Sequence, residues 1–471
     1  MCRKFRYEFG ERELFVRIND KVGDIFETVI KDLAYDGKAV GDIEGKIVFL
    51  NGGLPGERVR ARIVRKKRQY SIGKVLDILG KSEDRSETTC PHFDICGGCT
   101  WQDLKYDKQL HFKRKQAVDC IERIGLLKDV EVAEVIGVED PYYYRNKMEF
   151  SFNTVDGDEK FRLGLHKRGR FDEIFDIHEC LLQSPGSNEM VCWFRDYVRE
   201  NDLPVYDVLE HTGFVRFLMI REGKNTNQVM LNIITADGDI PDVDKFVASA
   251  VERFPQITTI VQNINDQKSN VAKGERENIL YGPGYIEETI LGYTFRIYAN
   301  SFFQTNSVQA EILYSRAIEL LGPSRDDRLL DLYCGAGTIG ICASGQVGGI
   351  VGIESEPSSV QAARENAELN GIDNAVFHAG KAEKIFREEP EIISGVNCAI
   401  VDPPRAGFHP KALKKLIELD LGRVVYVSCN PATFSRDAAK MVEAGYRLEK
   451  VVPVDMFPHT MHIEVVAGFY K

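Results

Sequence analysis

Two spacings of apolar residues alternate along this chain, one typical of strands and one typical of helices. In the first part, short apolar stretches are separated by turn signals such as Asp36-Gly37 and Pro55-Gly56. These stretches lie at residues 23–30, 46–50, 57–64 and 71–79. Short strands separated by tight turns are typical of all-β folds, so the pattern predicts a small all-β unit over residues 21–79.

One of these strands carries a row of arginines. Arg58, Arg60 and Arg62 alternate with small apolar residues, so they share one face of the strand. Such a row either protects an edge strand from aggregation or contacts phosphates. The cations continue through residues 65–68, and no acidic residue lies between positions 58 and 76. This continuation favours a phosphate-contacting face.

From residue 299 onward, buried strands alternate with helices. Apolar residues between positions 308 and 321 recur about every 3.6 residues, which predicts a helix that Pro323 ends. Strand-like stretches lie at residues 328–333, 349–353, 375–377, 398–401, 423–428, 447–454 and 463–470. The alternation predicts a doubly wound, Rossmann-like parallel sheet with a closing hairpin.

The middle of the chain mixes strand-like and helix-like pieces. Residues 105–124 predict a basic helix. The runs 142–147 and 166–170 combine aromatic or basic residues and are candidates for an RNA-facing surface, although core packing and a solvated loop explain them as well. We interpret this region as a central α+β domain that carries a metal site and contributes to an RNA groove.

With 471 residues, the chain is long enough for about three domains. The sequence therefore predicts a multidomain α/β protein with four segments. These are an N-terminal tail at 1–20, an OB-like β-barrel at 21–79, the central domain at 80–290 and the Rossmann-like domain at 291–471.

The net charge of −11 argues against a protein that coats nucleic acid over its whole surface. The basic strand instead predicts local docking of one polyanion. No apolar run reaches the ~18 residues that a spanning helix needs. The basic start leads into charged sequence without the apolar core of a signal peptide. We therefore expect a cytoplasmic protein without a membrane partner, and a monomer by default.

The eleven cysteines are expected to be metal ligands or reactive groups rather than disulfides, because no secretion signal precedes them. Cys90, Cys96 and Cys99 share one glycine-containing loop, and Cys180 is the fourth candidate ligand. Four thiolates suit either zinc or an iron–sulfur cluster, and spacing alone does not choose. Six isolated cysteines are expected to be structural: Cys2, Cys120, Cys192, Cys334, Cys342 and Cys398.

A glycine-rich loop follows the first strand of the C-terminal region. Residues 335–340 spell G-x-G-x-x-G, and Glu354 lies about 20 residues further on, which is the spacing of an NAD fingerprint. Asp331 and Tyr333 before the glycines fit the S-adenosylmethionine (SAM) loop of class I methyltransferases better. The motif Asp402-Pro403-Pro404, at a later strand end, also favours methyl transfer over hydride transfer.

Cys429 stands directly after the strand 423–428, where open α/β sheets gather their chemistry. Position alone fits a buried structural cysteine as well as a nucleophile. In adenine and cytosine methyltransferases, a related proline loop binds an exocyclic amino group of the base and continues with an aromatic residue. In this sequence Arg405 stands at that position instead. This difference, together with the cysteine at the next strand end, points to methylation of carbon.

Methylation at C5 of uracil requires a nucleophile and a base. C5 is weakly nucleophilic, so a thiolate such as Cys429 adds at C6 first and creates an enolate whose C5 attacks the SAM methyl group. A base then removes the C5 proton. Glu464 is the candidate base, the alternative being an ordinary surface glutamate. His459 and His462 are further candidates, and we expect them to be structural or RNA-facing.

These motifs together resemble the RNA uracil-5-methyltransferase family. The resemblance rests on residues 300–306, 331–338, 402–407, 428–431 and 459–464. It covers the chain beyond the N-terminal tail, and the predicted barrel resembles a TRAM domain, which binds RNA.

The resemblance implies roles for named residues. Cys429 would be the nucleophile and Glu464 the proton acceptor. The SAM contacts would be Gln304, Tyr333, Glu354 and Asp402. A [4Fe-4S] cluster would be held by Cys90, Cys96, Cys99 and Cys180. Barrel and cluster together favour 23S ribosomal RNA as the substrate, and uridine 54 of tRNA is the alternative.

Two other classes compete with this interpretation. A radical-SAM enzyme with a TRAM domain needs C-x3-C-x2-C, which leaves one iron open, whereas C-x5-C-x2-C plus Cys180 fills all four positions. A non-catalytic RNA-binding or ribosome-assembly protein would not need both Cys429 and Glu464. The sequence therefore favours the methyltransferase.

Overall fold

The computed structural model describes residues 21–155, 160–170, 172–268 and 270–471. The predicted tail at 1–20, with Cys2, lies outside the described residues. The chain divides into two compact units. The first contains the described residues up to Thr88 with Thr100–Phe112 and His459–Met461, and the second contains Thr89–Cys99, Lys113–Pro458 and His462–Lys471. The domain boundaries expected at 79/80 and 290/291 stay predictions.

The first unit contains a six-stranded sheet with the order β1-β5-β6-β4-β3-β2. Its strands are β1 (Ile25–Val29), β2 (Asp32–Leu33), β3 (Ala39–Ile43), β4 (Lys46–Asn51), β5 (Arg58–Lys66) and β6 (Ser71–Gly80). Only β4 and β6 pair in parallel. The four expected strands match β1, β4, β5 and β6, and the pattern missed β3 and the two-residue strand β2.

The alternation along β5 is as predicted. Arg58, Arg60 and Arg62 are exposed, and the residues between them are buried in the core of the sheet. Arg60 is partnered by Asp77 at 2.7 Å. The arginine row therefore has an open face, and one of its members is engaged by a carboxylate of the neighbouring strand.

The second unit begins with a seven-stranded sheet in the order β10-β9-β8-β11-β12-β13-β14. The elements up to this point of the chain are α1 (Tyr106–Arg123), β7 (Glu131–Val132), β8 (Lys147–Thr154), β9 (Phe161–His166), β10 (Ile174–Asp176), α2 (Pro185–Glu200), β11 (Val215–Gly223), β12 (Gln228–Thr235), α3 (Val243–Arg253), β13 (Ile257–Ile264) and β14 (Arg276–Tyr281). Helix α1 matches the predicted basic helix. The sheet itself had no clear signature in the sequence.

An eight-stranded sheet, in the order β19-β18-β17-β20-β21-β23-β22-β7, forms the rest of this unit. The remaining elements are β15 (Tyr285–Ile290), β16 (Tyr293–Tyr298), α4 (Ser307–Leu321), β17 (Arg328–Leu332), α5 (Thr338–Ala343), β18 (Gly349–Glu354), α6 (Pro357–Leu369), β19 (Ala375–Ala379), α7 (Ala382–Glu388), β20 (Cys398–Val401), α8 (Pro410–Glu418), β21 (Arg423–Ser428), α9 (Pro431–Glu443), β22 (Arg447–Val454) and β23 (Glu464–Tyr470). Strands β17 to β21 are parallel, and β21, β23 and β22 pair antiparallel. The predicted doubly wound sheet with a closing hairpin is therefore confirmed.

Both faces of this sheet are covered by apolar packing. Along β21, Val425 and Val427 belong to one hydrophobic core, and Val424 and Tyr426 belong to the core on the opposite face. A strand that is buried on both faces has a continuous run of apolar residues, and for this reason the sequence predicted β21.

Two details differ from the sequence-based expectation. Helix α4 ends at Leu321 because Gly322 adopts a left-handed conformation (φ 54°) as its cap, one residue before Pro323. The two-residue strand β7 adds an edge beside β22. A strand of that length leaves no periodic signal.

Among the described residues, no helix is both long and apolar enough to cross a membrane.

A buried ion pair ties helix α1 to the segment before β23. Lys113 Nζ lies 2.6 Å from Asp455 Oδ1 and donates to the Phe457 carbonyl at 2.9 Å, and both charged side chains are fully buried. Lys113→Ala would leave the Asp455 carboxylate buried without this cation. We expect it to lower the free energy of unfolding by about 3–5 kcal/mol, measured by urea denaturation.

The matched control for this prediction is Lys115→Ala. Lys115 pairs with Asp119 on the same helix, but both side chains are about one-third exposed, and such pairs contribute about 0–1 kcal/mol. Equal losses in the two variants would contradict the structural importance of the buried pair.

Candidate active site

Cys429 lies at a sharp turn between a strand and a helix. Strand β21 ends at Ser428, and α9 begins at Pro431. The Asn430 side chain caps the helix by accepting hydrogen bonds from the backbone N–H groups of Ala432 at 3.0 Å and Thr433 at 3.4 Å. This turn fixes Cys429 at the carboxyl end of the sheet.

The strand register brings Glu464 beside Cys429. Strand β23 runs antiparallel to β21, and the last paired residues are Ser428 and Val465. The next residue of each strand is therefore Cys429 on one side and Glu464 on the other. The electrostatic effect of Glu464 on the Cys429 thiol agrees with this placement. Glu464 is 3% exposed, so it is not the surface glutamate of the alternative interpretation.

Two further charged residues reach the same place from the loop that follows β20. The pKa of the Cys429 thiol is raised to about 12, chiefly by burial and then by the carboxylates of Glu464 and Asp402. The Arg405 guanidinium opposes this shift. The structure thus brings one thiol, two carboxyl groups and one guanidinium together.

The carboxyl groups of this site are buried, and burial favours their neutral forms. The pKa of Glu464 is raised well above its ordinary value by burial, then by Asp402, with Arg405 opposing. Burial and the nearby Asp331 raise the pKa of Asp402 to about 7. Burial in the free protein therefore disfavours both the thiolate of Cys429 and the carboxylate of Glu464.

The glycine loop after β17 has a strained, compact backbone. Tyr333, Gly335 and Gly337 all adopt positive φ angles, of 65°, 54° and 77°. The backbone N–H groups of Tyr333 and Cys334 donate to the Ile353 carbonyl at 2.9 and 3.2 Å, which fixes the loop to the adjacent strand. Left-handed glycines let a ligand approach the backbone closely, and a non-glycine residue in this region is typical of functional turns.

Glu354 ends the adjacent strand with its carboxylate held in a fixed position. Oε2 accepts from the Gly335 N–H at 3.3 Å, and Oε1 accepts from the Ser355 and Glu356 N–H groups at 2.6 and 2.9 Å. An acid oriented in this way beside a glycine loop fits the ribose hydroxyls of SAM, because Oε2, which accepts from Gly335, has a second lone pair for a donor from a ligand.

Asp331 and Gln304 complete the predicted SAM region. The buried Asp331 carboxylate accepts from the Gly340 N–H at 2.9 Å, and burial, with a contribution from Glu354, raises its pKa to about 7. Gln304 lies just before α4 and is buried. Its backbone carbonyl accepts a hydrogen bond from the Asn146 side chain at 2.9 Å. The residue types around the glycine loop are therefore compatible with a SAM-binding site.

The two candidate histidines have different environments. His459 is buried in the first unit, where its Nδ1 lies 3.2 Å from Gln109 Nε2. His462 lies 3.3 Å from Arg405, and burial, followed by Arg405, Lys113 and Arg145, lowers its pKa to about 4. His459 thus has the position of a structural residue, and His462 is a neutral ring at the edge of the site.

None of the four predicted cysteine ligands is in a disulfide, and they lie close enough to influence one another. Burial, and after it Cys96 and Cys90, raise the pKa of Cys180 to about 11. Cys99 experiences the same effect from the other three. The Gly98 N–H donates to the Cys96 sulfur at 3.3 Å. Such N–H···S contacts are typical of metal-bound thiolates.

The donor chemistry therefore suits a four-thiolate site. In the part of the chain that the structure describes, however, no group of three or more His, Cys, Asp or Glu side chains could hold a metal ion. The cysteines share one region without forming a closed set of ligands, and zinc and an iron–sulfur cluster both stay predictions.

Arg168 organises the cysteine loop, a role that the sequence did not indicate. Its guanidinium donates to the carbonyls of Phe93 at 3.0 Å, Cys96 at 3.2 Å and Cys99 at 2.9 Å. It also stacks on the Phe93 ring at 5.0 Å. This member of the run 166–170, predicted as an RNA-facing candidate or a solvated loop, is thus a structural arginine.

Tyr144 in the run 142–147 is also internal. It is 8% exposed, and its hydroxyl donates to the Pro458 carbonyl at 3.1 Å. Because the ring packs in the hydrophobic core, it is not available to stack on a base. Core packing, the alternative interpretation, is correct for this residue.

Comparisons with known proteins agree with the geometry. Residues 250–470 match the family tRNA (Uracil-5-)-methyltransferase, and residues 20–76 match the TRAM domain. An uncharacterized RNA methyltransferase of Halalkalibacterium halodurans is 37% identical over 94% of this chain and 96% of its own length. One of Porphyromonas gingivalis is 39% identical, covering 93% and 98%.

A solved structure covers nearly the whole chain. It is the Pyrococcus abyssi tRNA (uracil-54, C5)-methyltransferase in complex with S-adenosyl-L-homocysteine, with a TM-score of 0.76 and 32% identity. The match covers 94% of this chain and all of that one. Both the N-terminal sheet and the Rossmann-like sheet thus have a counterpart of known structure.

Proposed function

This chain belongs to the RNA uracil-5-methyltransferase family, and on that premise we propose that it methylates C5 of uridine in 23S ribosomal RNA. The enzyme is a SAM-dependent RNA methyltransferase. The observation that carries the proposal is the placement of Cys429 opposite Glu464 at the end of the sheet. A nucleophile and a proton acceptor are the two groups that C5 methylation requires.

Cys429 begins the reaction as the nucleophile. Its sulfur adds to C6 of the uracil, forming an S–C6 bond and moving the C5–C6 electron pair towards C5 and O4. Arg405 favours the thiolate, because it is the cation that lowers the pKa of Cys429. SAM, when bound, supplies an electrophilic methyl group to C5.

Glu464 completes the reaction as the proton acceptor. Once C5 carries both a methyl group and a hydrogen, the Glu464 carboxylate removes that proton. The electron pair re-forms the C5–C6 double bond, the S–C6 bond breaks, and Cys429 leaves as the thiolate. Glu464 must be ionised to act, although burial favours its neutral form in the free protein.

Four residues are proposed to hold SAM: Gln304, Tyr333, Glu354 and Asp402. Tyr333 and Glu354 support this assignment through the left-handed loop and the oriented carboxylate. Asp402 supports it by its place at the end of β20, next to β17 in the sheet. The strand order reverses between these two strands, and ligands of open α/β sheets bind at such a point.

The cysteine region is proposed to hold a [4Fe-4S] cluster through Cys90, Cys96, Cys99 and Cys180. Cys99 and Cys180 are buried and Cys90 and Cys96 are half-buried. Backbone N–H groups donate to the sulfurs of Cys90, Cys96 and Cys180, which supports this assignment. Protein purified without oxygen should contain roughly four iron and four sulfide per chain, and Cys180→Ser should lose most of both. Metal and sulfide analysis with visible absorption measures this.

Cys192→Ser is the matched control for the cluster, because Cys192 is a free, half-buried cysteine outside the proposed set. It should keep the iron and the sulfide. One zinc per chain without sulfide would contradict the cluster and favour a zinc site.

The substrate RNA is the finer part of the proposal. The TRAM domain and the four cysteines support 23S ribosomal RNA. Uridine 54 of tRNA is the second candidate, because the Pyrococcus abyssi enzyme acts there and matches along its whole length. Transfer of labelled methyl from SAM to unmodified total bacterial RNA, separated by size, distinguishes them. Label in 23S RNA supports the proposal, and label confined to tRNA overturns the choice of substrate.

A further inference from the structure

The loop between β20 and α8 carries Arg405, and helix α9 supplies partners for its backbone. Asn430 Nδ2 and Thr433 Oγ1 donate to the Arg405 carbonyl at 3.0 and 3.3 Å. Residues spaced three or four apart share one face of a helix. The helix that begins after Cys429 therefore presents one face to this loop.

The same face continues with a charged pair one turn further along. Arg436 Nη2 donates to the carbonyls of Ala406 at 3.2 Å and Phe408 at 3.4 Å. Asp437 Oδ2 accepts from the Phe408 N–H at 2.9 Å. Arg436 and Asp437 are themselves joined at 2.8 Å. The loop is thus hydrogen-bonded to α9 at successive residues.

Gly407 shows how closely the loop approaches this pair. Its φ angle is 75°, and a Cβ atom there would lie 2.6 Å from Arg436 Nη2 and 2.7 Å from Asp437 Oδ2. Asp437 is 1% exposed and also accepts from the Tyr426 hydroxyl at 3.0 Å. A buried carboxylate with these partners fixes loop, strand β21 and helix α9 in one arrangement.

We propose that Arg436 and Asp437 are positioning residues that hold the loop backbone so that the Arg405 guanidinium stays beside Cys429. The proposal rests on the proposed function in taking Cys429 as the nucleophile. In this proposal the pair acts on Cys429 through Arg405.

The chemical consequence concerns the reactivity of Cys429. Glu464 and Asp402 disfavour its thiolate, and Arg405 opposes them. If the loop is released, Arg405 spends less time near the sulfur, and the thiolate fraction at a given pH falls. A general loosening of the structure would do the opposite, because it exposes the thiol and speeds its reactions.

Alkylation of the full-length protein by iodoacetamide tests this proposal without RNA or SAM. The rate at Cys429 is followed by mass spectrometry of its peptide between about pH 8 and 10, where the rate tracks the thiolate fraction. We expect Arg436→Ala to slow it roughly three- to tenfold, which corresponds to half to one pKa unit. Arg405→Ala should slow it at least as much, and Arg436→Lys should lie between Arg436→Ala and the unsubstituted protein.

Two comparisons separate positioning from a direct effect of charge. Asp437→Ala removes a charge of the opposite sign, so a direct effect would speed alkylation, whereas loss of positioning slows it. The double variant Arg405→Ala/Arg436→Ala should react no more slowly than Arg405→Ala alone. Because Arg436 is 44% exposed, its variant should fold even where the Asp437 variant does not.

Lys440→Ala is the matched control, since Lys440 is an exposed cation four residues further along the same helix. It should leave the rate at Cys429 unchanged. The proposal is overturned if Arg436→Ala does not slow alkylation, if Arg405→Ala has no effect, or if the double variant is additive. Absence of methyl transfer by the unsubstituted enzyme would reject the proposed function and leave these rates unaffected.

Discussion

Replacing Cys429 by alanine is expected to abolish methyl transfer, lowering the rate by roughly 10³- to 10⁶-fold, as loss of a covalent nucleophile does in other enzymes. Without the Cys429 sulfur, the proposed bond to C6 cannot form, and C5 of uracil is then too weak a nucleophile to attack the methyl group. Transfer of labelled methyl from SAM to RNA measures the loss.

Cys192→Ala is the control for this prediction, because Cys192 is another free, half-buried cysteine and has no proposed part in the reaction. It should keep full activity. Substantial methyl transfer by Cys429→Ala would show that another residue attacks the base. The covalent mechanism would then be wrong, even though the family assignment would stand.

Replacing Glu464 by glutamine is expected to stop the reaction after methyl transfer. The amide keeps the shape of the carboxylate but cannot accept the C5 proton, so elimination of Cys429 is blocked. Loss of a general base costs about 10²–10⁴-fold in rate. The methylated RNA should remain attached to the protein and appear as a slowly migrating band on a denaturing gel.

The matched variant is Glu449→Gln, an exposed glutamate on the neighbouring strand β22. It should turn over normally without accumulating the band. If Glu464→Gln loses activity and no attached RNA accumulates, Glu464 acts before methyl transfer or only supports the structure. A variant with normal turnover would exclude Glu464 as the base.

Local patterns were sufficient to predict the elements that carry the chemistry. The turn at Cys429, the loop at Tyr333 and the acid at Glu354 each follow an apolar run, because strands buried on both faces leave a continuous signal. Helix α1 was predicted as a basic helix, and the arginines of β5 were predicted from their alternation with apolar residues. These features depend on residues that are close together in the sequence.

Features that depend on contacts between distant segments could not be predicted from such patterns. The register that places Glu464 opposite Cys429 is set by the pairing of β21 with β23. Arg168 looked like part of a solvated basic run, but its partners are carbonyls about 70 residues away in the sequence. Asp437 carries no local signal in the sequence, because its partners Phe408 and Tyr426 belong to other elements.

The most direct test of the central claim is a search for the bond between Cys429 and the base. RNA containing 5-fluorouridine, incubated with the enzyme and SAM, should form a stable adduct, because the fluorine at C5 cannot be removed as a proton. Mass spectrometry of the digested complex should place the methylated nucleotide on the Cys429 peptide. An adduct on another residue, or none under conditions in which ordinary RNA is methylated, would contradict the mechanism.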